Sequence, residues 1–377
     1  MAGRLISLNF QSSKYPELKR VLFIASHRLD RAPNQRFRFE QYLDFLGKNG
    51  YACDVSYFIK EKDDKVLYSQ GNYLAKAWIG LKSALQRLND VVKSNQYDII
   101  FICREAFFTG TTFFESMFSK SKAKVIYDFD DAIWHFDVSE ANKKVGWLKK
   151  PGKTANIITM ADLVFAGNKY LAEFAHHYNE NVVIVPTTID TDEYKPAPFR
   201  NTNPVCIGWS GSITTIRHFE MVTPIYKRLK DRFGDRISFK VIGDGSYRNE
   251  ALGIQGIAWK KQDELQELSL MDIGVMPLPD DEWAKGKCGL KGLQYMAMSI
   301  ATVMSPVGVN SEIIRDGENG FLPATEDEWV EKLSQLITDV ELRRRLGEAG
   351  RRTVLEHYSV NAQKNNYLRY FNLLTQK

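Results

Sequence analysis

Cysteine is sparse in this chain of 377 residues. Cys53, Cys103, Cys206 and Cys288 are scattered without a C-x-x-C pair, which excludes a dense disulfide framework and a clustered Cys/His metal site. Reduced thiols packed as small apolar side chains in a cytosolic protein are the simpler expectation. No apolar run reaches the roughly 18 residues that mark a membrane span. The first twenty residues, MAGRLISLNFQSSKYPELKR, lack the apolar centre and cleavage site of a secretion signal, so a cytoplasmic location is expected. Charge of one sign is scarce too: 51 Lys and Arg against 46 Asp and Glu leave +5. That excess suits an anionic small molecule or a membrane surface and is too small to argue for nucleic acid. G-x-G-x-x-G, the Walker lysine pattern and H-E-x-x-H are all missing.

What is present is alternation of strand and helix. The length exceeds a comfortable single core, so two domains are expected. Apolar runs at 20–26, 53–58, 97–103, 124–131, 161–166 and 182–185 read as buried strands. Helical stretches fall between several of them, one long (72–93) and one around Tyr170 to Tyr178. Residues 186–204 carry four prolines and little periodicity, as a linker does. The alternation restarts with strands at 205–210, 237–243, 257–259 and 272–278, and a helix is expected over 217–233. The fold class is therefore α/β: two Rossmann-like, doubly wound parallel-sheet domains, residues 1–195 and 196–359, facing across a cleft. Ligands in such sheets bind beyond the carboxyl ends of the strands.

Several loops at those ends carry chemistry. In EWAKGKCGLKGLQYMA, residues 282–297, Leu290, Leu293 and Ala297 share one helical arc while Lys287, Lys291 and Gln294 share another. Two ammonium groups beside a glycine-flanked helix start make a socket for a diphosphate, or simply a solvated basic edge. In GWSGSITTIR, Ser210, Gly211 and Ser212 offer donors to a phosphate with Arg217 as cation, or merely cap a helix. Gly243 and Gly245 suit a close approach to a ligand or a plain turn, and Ile257 stands in the short strand that follows. Asp128, Asp130 and Asp131 lie at a strand end beside Trp134 and His135, placed to bind sugar hydroxyls, act as a base, hold a metal or simply cap a helix, with too few further acids nearby to favour the metal. Arg36 and Arg38 in the first arginine-rich loop could receive an anionic acceptor or stay solvated. No amphipathic membrane anchor stands out.

Taken together, PVCIGWSGS, FKVIGDG, DIGVMPL and GLKGLQYMAMSIATVMSPVGVNSEIIRDGENGFL, with VIVPTTIDTDEYKP before them, resemble family 4 of the retaining glycosyltransferases. The similarity covers the C-terminal half and is looser before it. It implies the GT-B fold, a nucleoside-diphosphate-sugar donor on the second domain and a saccharide or lipid-linked acceptor on the first. The last helix, residues 360–377, would pack back on the first domain. By position, the family's diphosphate cations fall at Arg217 and at Lys287 or Lys291. Its ribose-binding glutamate falls at Gln294, and its other glutamate, eight residues earlier, at Gly286, so both acids are absent. The resemblance implies metal-independent transfer with Arg217 and Lys291 as catalytic groups and Asp128 or Asp130 positioning sugar or acceptor. Ser210, Gly211, Ser212, Gly243, Gly245, Ile257, Lys287 and Gln294 would bind the donor, and Arg36, Arg38 and His135 the acceptor. It fits bacterial polysaccharide or glycolipid synthesis, with peripheral contact at the inner face of the plasma membrane. A catalytically inert GT-B subunit supporting a partner enzyme and a nucleotide-sugar epimerase are the alternatives.

Overall fold

The structure is a computed structural model that describes residues 18–67, 69, 71–135, 150 and 152–376; the first 17 residues and Lys377, read above, lie outside them. Strands β1 (Lys19–His27), β2 (Tyr51–Ile59), β3 (Ile99–Cys103), β4 (Lys124–Phe129), β5 (Leu163–Ala166) and β6 (Val182–Ile184) form one parallel sheet in the order β2-β1-β3-β4-β5-β6. After them come β7 (Val205–Ser210), β8 (Ile237–Gly243), a small β9/β10 hairpin (Arg248–Asn249, Ile254–Gln255), β11 (Ile257–Ala258), β12 (Ile273–Met276) and β13 (Ala301–Met304). The second parallel sheet runs β11-β8-β7-β12-β13. In β3, β12 and β13 every residue is buried, because helices cover both faces and leave no solvent side to alternate with.

Strand order fixes where loops diverge. In the first sheet the chain turns opposite ways from β1 and β3, and in the second from β7 and β12. A crevice opens at each of these reversal points, beyond the strand ends. The loops after β7 and β12 carry Ser210 to Arg217 and the 279–289 stretch, and that arrangement sets the site.

Two elements differ from the sequence expectation. The single helix over 217–233 is two, Ile216–Glu220 and Thr223–Phe233. Pro224 sits in the first turn of the second, where its missing N–H costs nothing, and a continuous helix would have lost that bond. The stretch 186–204 is not a loose tether in its first half. Thr187, Thr188, Ile189 and Tyr194 are buried, and the Thr188 hydroxyl bonds Tyr42 at 2.8 Å. Ile189 also accepts from the Val360 N–H at 3.0 Å, which ties the start of the Val360–Thr375 helix to this strap. Tyr367 of that helix stacks on Tyr42 with centroids 4.2 Å apart, and Phe371 packs on Phe23 and Phe101, so the helix lies on the first sheet.

Candidate active site

The loop after β7 folds against the loop after β8. The Gly211 N–H donates to the Ile242 carbonyl at 2.9 Å, and Gly243 has φ +145. A Cβ on Gly243 would stand 2.1 Å from the Gly211 carbonyl oxygen, so the two turns touch only because Gly243 carries no side chain, while a Cβ on Gly211 would run into Trp209 and the Lys291 stem. Gly245 is close against Ala258, and Ile257 is half-buried in β11, paired with Ile242. The Ser210 N–H donates to the Tyr295 hydroxyl at 2.8 Å. Ser212 serves as a capping box with Thr215, so its hydroxyl is already engaged in starting the next helix.

Cations gather in front of these turns. Lys291, on the Leu290–Ala297 helix, lies with its Nζ 5.4 Å from the Trp209 ring centroid. Arg217 and Lys287 both stack on Trp283, at 5.2 and 3.4 Å from its centroid. His218 packs edge-on against the same indole. Lys287 also reaches Asp131 of the first domain at 2.9 Å. Among the described residues no carboxylate pairs with Arg217 or Lys291 within 4.0 Å. Burial, and then the Lys287 charge, push the Lys291 ammonium down to about 8. Burial and the charges of Lys291, Arg217 and Lys287 push His218 down to about 4, so the ring is neutral, and its buried Nε2 has no hydrogen-bond partner among the described residues. A group of like charges short of counter-charge, with an unsatisfied imidazole nitrogen, is what an anion would complete.

The first domain meets this region edge to edge. Gly286 lies so close to Ala132 that a Cβ would be 2.7 Å from its backbone nitrogen. The Cys288 thiol reaches the Asp130 carbonyl at 3.3 Å, and Asn168 donates to the carbonyls of Lys285 and Lys287. Tyr170 bonds Glu282 at 2.8 Å, while His135 stands 3.5 Å from the same Tyr170 hydroxyl, on the domain boundary. Asp130 is held by Arg104 at 2.7 Å; burial opposes its ionisation, but the Arg104 charge outweighs it and keeps the carboxyl low.

Four expected positions sit elsewhere. Arg38 and Asp128 are 2% and 1% exposed and close on each other in a forked ion pair, beneath the cleft instead of in it. Both are interior because β4 is buried along its whole C-terminal part, and each is the partner that makes the other's burial affordable. Arg36 is likewise buried and pairs with Glu264 at 2.8 Å. Gln294 turns to the same place: its amide donates to the Tyr194 hydroxyl at 3.1 Å and to Glu264 at 3.3 Å. Arg217, Lys287, Lys291 and the glycine turns are brought together. Trp209, Trp283 and His218 were not singled out from the sequence; an indole at a strand end and one beside the Asp281 cap were the available signals.

Two parallel sheets joined by a strap, with a C-terminal helix returning to the first, make the GT-B architecture. A glycosyltransferase from Rickettsia africae ESF-5 superposes with a TM-score of 0.67 at 14% identity, over 96% of this chain and 100% of that one. HepE of Anabaena, crystallised with UDP and glucose, gives 0.66 at 14% identity over 94% and 100%. Residues 204–339 match the family described as Glycosyl transferases group 1. The putative glycosyltransferase EpsD of Bacillus subtilis (strain 168) is 34% identical over 94 residues, 24% of this chain and 25% of EpsD. The matched segments thus span about a quarter of the curated relatives' length.

Proposed function

We propose that the protein is a retaining glycosyltransferase that moves a sugar from a nucleoside-diphosphate-sugar to an acceptor hydroxyl in bacterial polysaccharide or glycolipid synthesis. The observation that carries this reading is the group of Arg217, Lys287 and Lys291 before the abutting turns at Gly211 and Gly243. Backbone N–H groups and the N-terminus of the Leu290–Ala297 helix add positive potential at the same place. A diphosphate seated there would have its developing negative charge neutralised by Arg217 and Lys291 as the glycosidic bond breaks. The acceptor hydroxyl attacks from the side the leaving group departs, and its proton passes to the departing phosphate. Asp130 and Asp131, held by Arg104 and Lys287, orient the acceptor side near His135.

The transfer needs no metal in this reading, because side-chain cations do the neutralising, and the boundary carboxylates already have cationic partners. The test is thermal stabilisation by UDP-, GDP-, ADP- and dTDP-sugars with and without EDTA, UDP-glucose first, since HepE was also crystallised with it. A ligand at about 100 times its Kd adds roughly 2.7 kcal/mol to the folded state. A shift with one base that ignores EDTA supports the reading. No shift with any donor removes it in favour of an inert subunit, and conversion of free donor without acceptor would make the protein an epimerase.

A further inference from the structure

The Tyr73–Lys93 helix is inside out. Its inward face carries Ser83, Arg87 and Asp90, all buried, beside Ile79. Arg87 is fully enclosed and satisfied by Asp90 at 2.8 Å, the Ser56 hydroxyl and the carbonyls of Ala25 and Ala106. Its outward face carries Leu74, Trp78, Leu81, Leu85, Leu88 and Val92, each between 43% and 90% exposed. At 100° per residue these six fall within an arc of roughly 80°, along about 27 Å of helix. The Phe113–Ser119 helix packs beside it and adds exposed Phe113 and Met117, so the apolar surface runs over two helices.

The rim of this surface carries an excess of positive charge. Between Tyr73 and Lys124 the exposed basic side chains are Lys82, Lys93, Lys120, Lys122 and Lys124, of which Lys82 is paired with Asp63 and Lys124 with Asp162. The Glu61–Leu67 helix packed alongside adds exposed Glu61, Lys62 and Lys65, so among the described residues Lys93, Lys120, Lys122, Lys62 and Lys65 stand against Asp98 and Glu61. Asp98 accepts from the Arg20 N–H. Pairing with a second copy of the chain would press these lysines against their own mates, whereas an anionic lipid surface supplies the opposite charge. No helix of the described residues is long and apolar enough to cross a membrane. A helix lying flat with its leucines in the acyl boundary and its lysines among headgroups satisfies both features.

We infer that the outward face of the Tyr73–Lys93 helix, extended by Phe113 and Met117, docks the protein on an anionic membrane surface. This surface is separate from the cation group and stands whether or not the cleft transfers a sugar. The test is flotation of the full chain with vesicles of phosphatidylcholine, with and without phosphatidylglycerol. The wild-type protein floats with the anionic vesicles and loses binding as salt rises. Replacing exposed leucines in L81Q/L85Q lowers partitioning by at least about tenfold. K93Q/K120Q lowers it by about fivefold per lysine on anionic vesicles only. Both variants keep the wild-type circular dichroism and melting temperature, as exposed positions should. Absence of flotation, or an L81Q/L85Q variant that floats like the wild type, overturns the proposal. So does a dimer in sedimentation velocity that L81Q/L85Q abolishes while lipid binding is nil, which would give the face to a second copy.

Discussion

Lys291 is the residue whose chemistry is most exposed to test. An ammonium is ordinarily protonated far above neutral pH, and burial together with Lys287 brings this one to about 8. An incoming diphosphate reverses that balance, since its charge favours the ammonium over the amine. Donor binding therefore takes up a proton at high pH, and affinity should fall as pH rises through about 8, by up to about tenfold per unit. Calorimetric Kd values for the nucleoside diphosphate across that range would show the bend. Lys287→Met removes the like charge and frees Asp131 to act on Lys291, so the bend should move upward. Lys291→Met should abolish the bend and cost roughly 2.7–4 kcal/mol of barrier, as loss of one preorganised donor does elsewhere. A flat profile in the wild type would take Lys291 out of the site.

At the scale of elements, two bare turns decide whether the donor loop exists at all. Gly243 combines a φ of +145 with the Gly211 oxygen 2.1 Å from where a Cβ would be. Gly243→Ala must therefore displace the β7 loop as well as strain its own backbone, at about 1–3 kcal/mol for the strain alone. Gly234, at φ +57 on a helix end, has nothing within 4 Å of its Cβ position. The expected contrast is a folded Gly243→Ala protein with no donor-induced thermal shift and a mildly destabilised Gly234→Ala protein that keeps the shift. Equal shifts in both would mean that the turns do not form the site. Elements of this kind were legible in the sequence because their cause is local: apolar runs gave the strands, and glycines after β7 and β8 gave the turns. The Arg38–Asp128 pair was not legible. Its members lie 90 positions apart, and a strand-end aspartate reads alike whether it faces a cleft or a buried guanidinium. The outward leucines of the Tyr73–Lys93 helix were hidden for a related reason. A periodic apolar stripe is ordinarily the buried one, and only Arg87 and Asp90 on the other face reveal the inversion.

Across the whole molecule, one buried polar cluster joins both domains and the strap between them. Arg36 comes from the first domain, Tyr194 from the strap, and Glu264, Trp259 and Gln294 from the second. Glu264 accepts from Arg36, Tyr194 and Trp259 at 2.8 to 3.0 Å and from Gln294 at 3.3 Å. Burial resists its ionisation, but the Arg36 charge and these bonds outweigh the resistance and hold the carboxyl below its usual range. Ala132 of the first domain leaves no room for a side chain at Gly286, and at position 294 a carboxylate already fills the space in front of the amide. Gln294→Glu should therefore harm the protein. It replaces two donated hydrogen bonds with a like charge beside Glu264 and should cost roughly 1–3 kcal/mol at neutral pH. The new carboxyl would have its folded-state pKa raised, so the deficit is largest above that value and shrinks as acid protonates it. Denaturant midpoints of the wild type and the variant at neutral and mildly acidic pH measure both the cost and its sign. Unchanged stability with tighter donor binding would instead mean that residue 294 faces the donor.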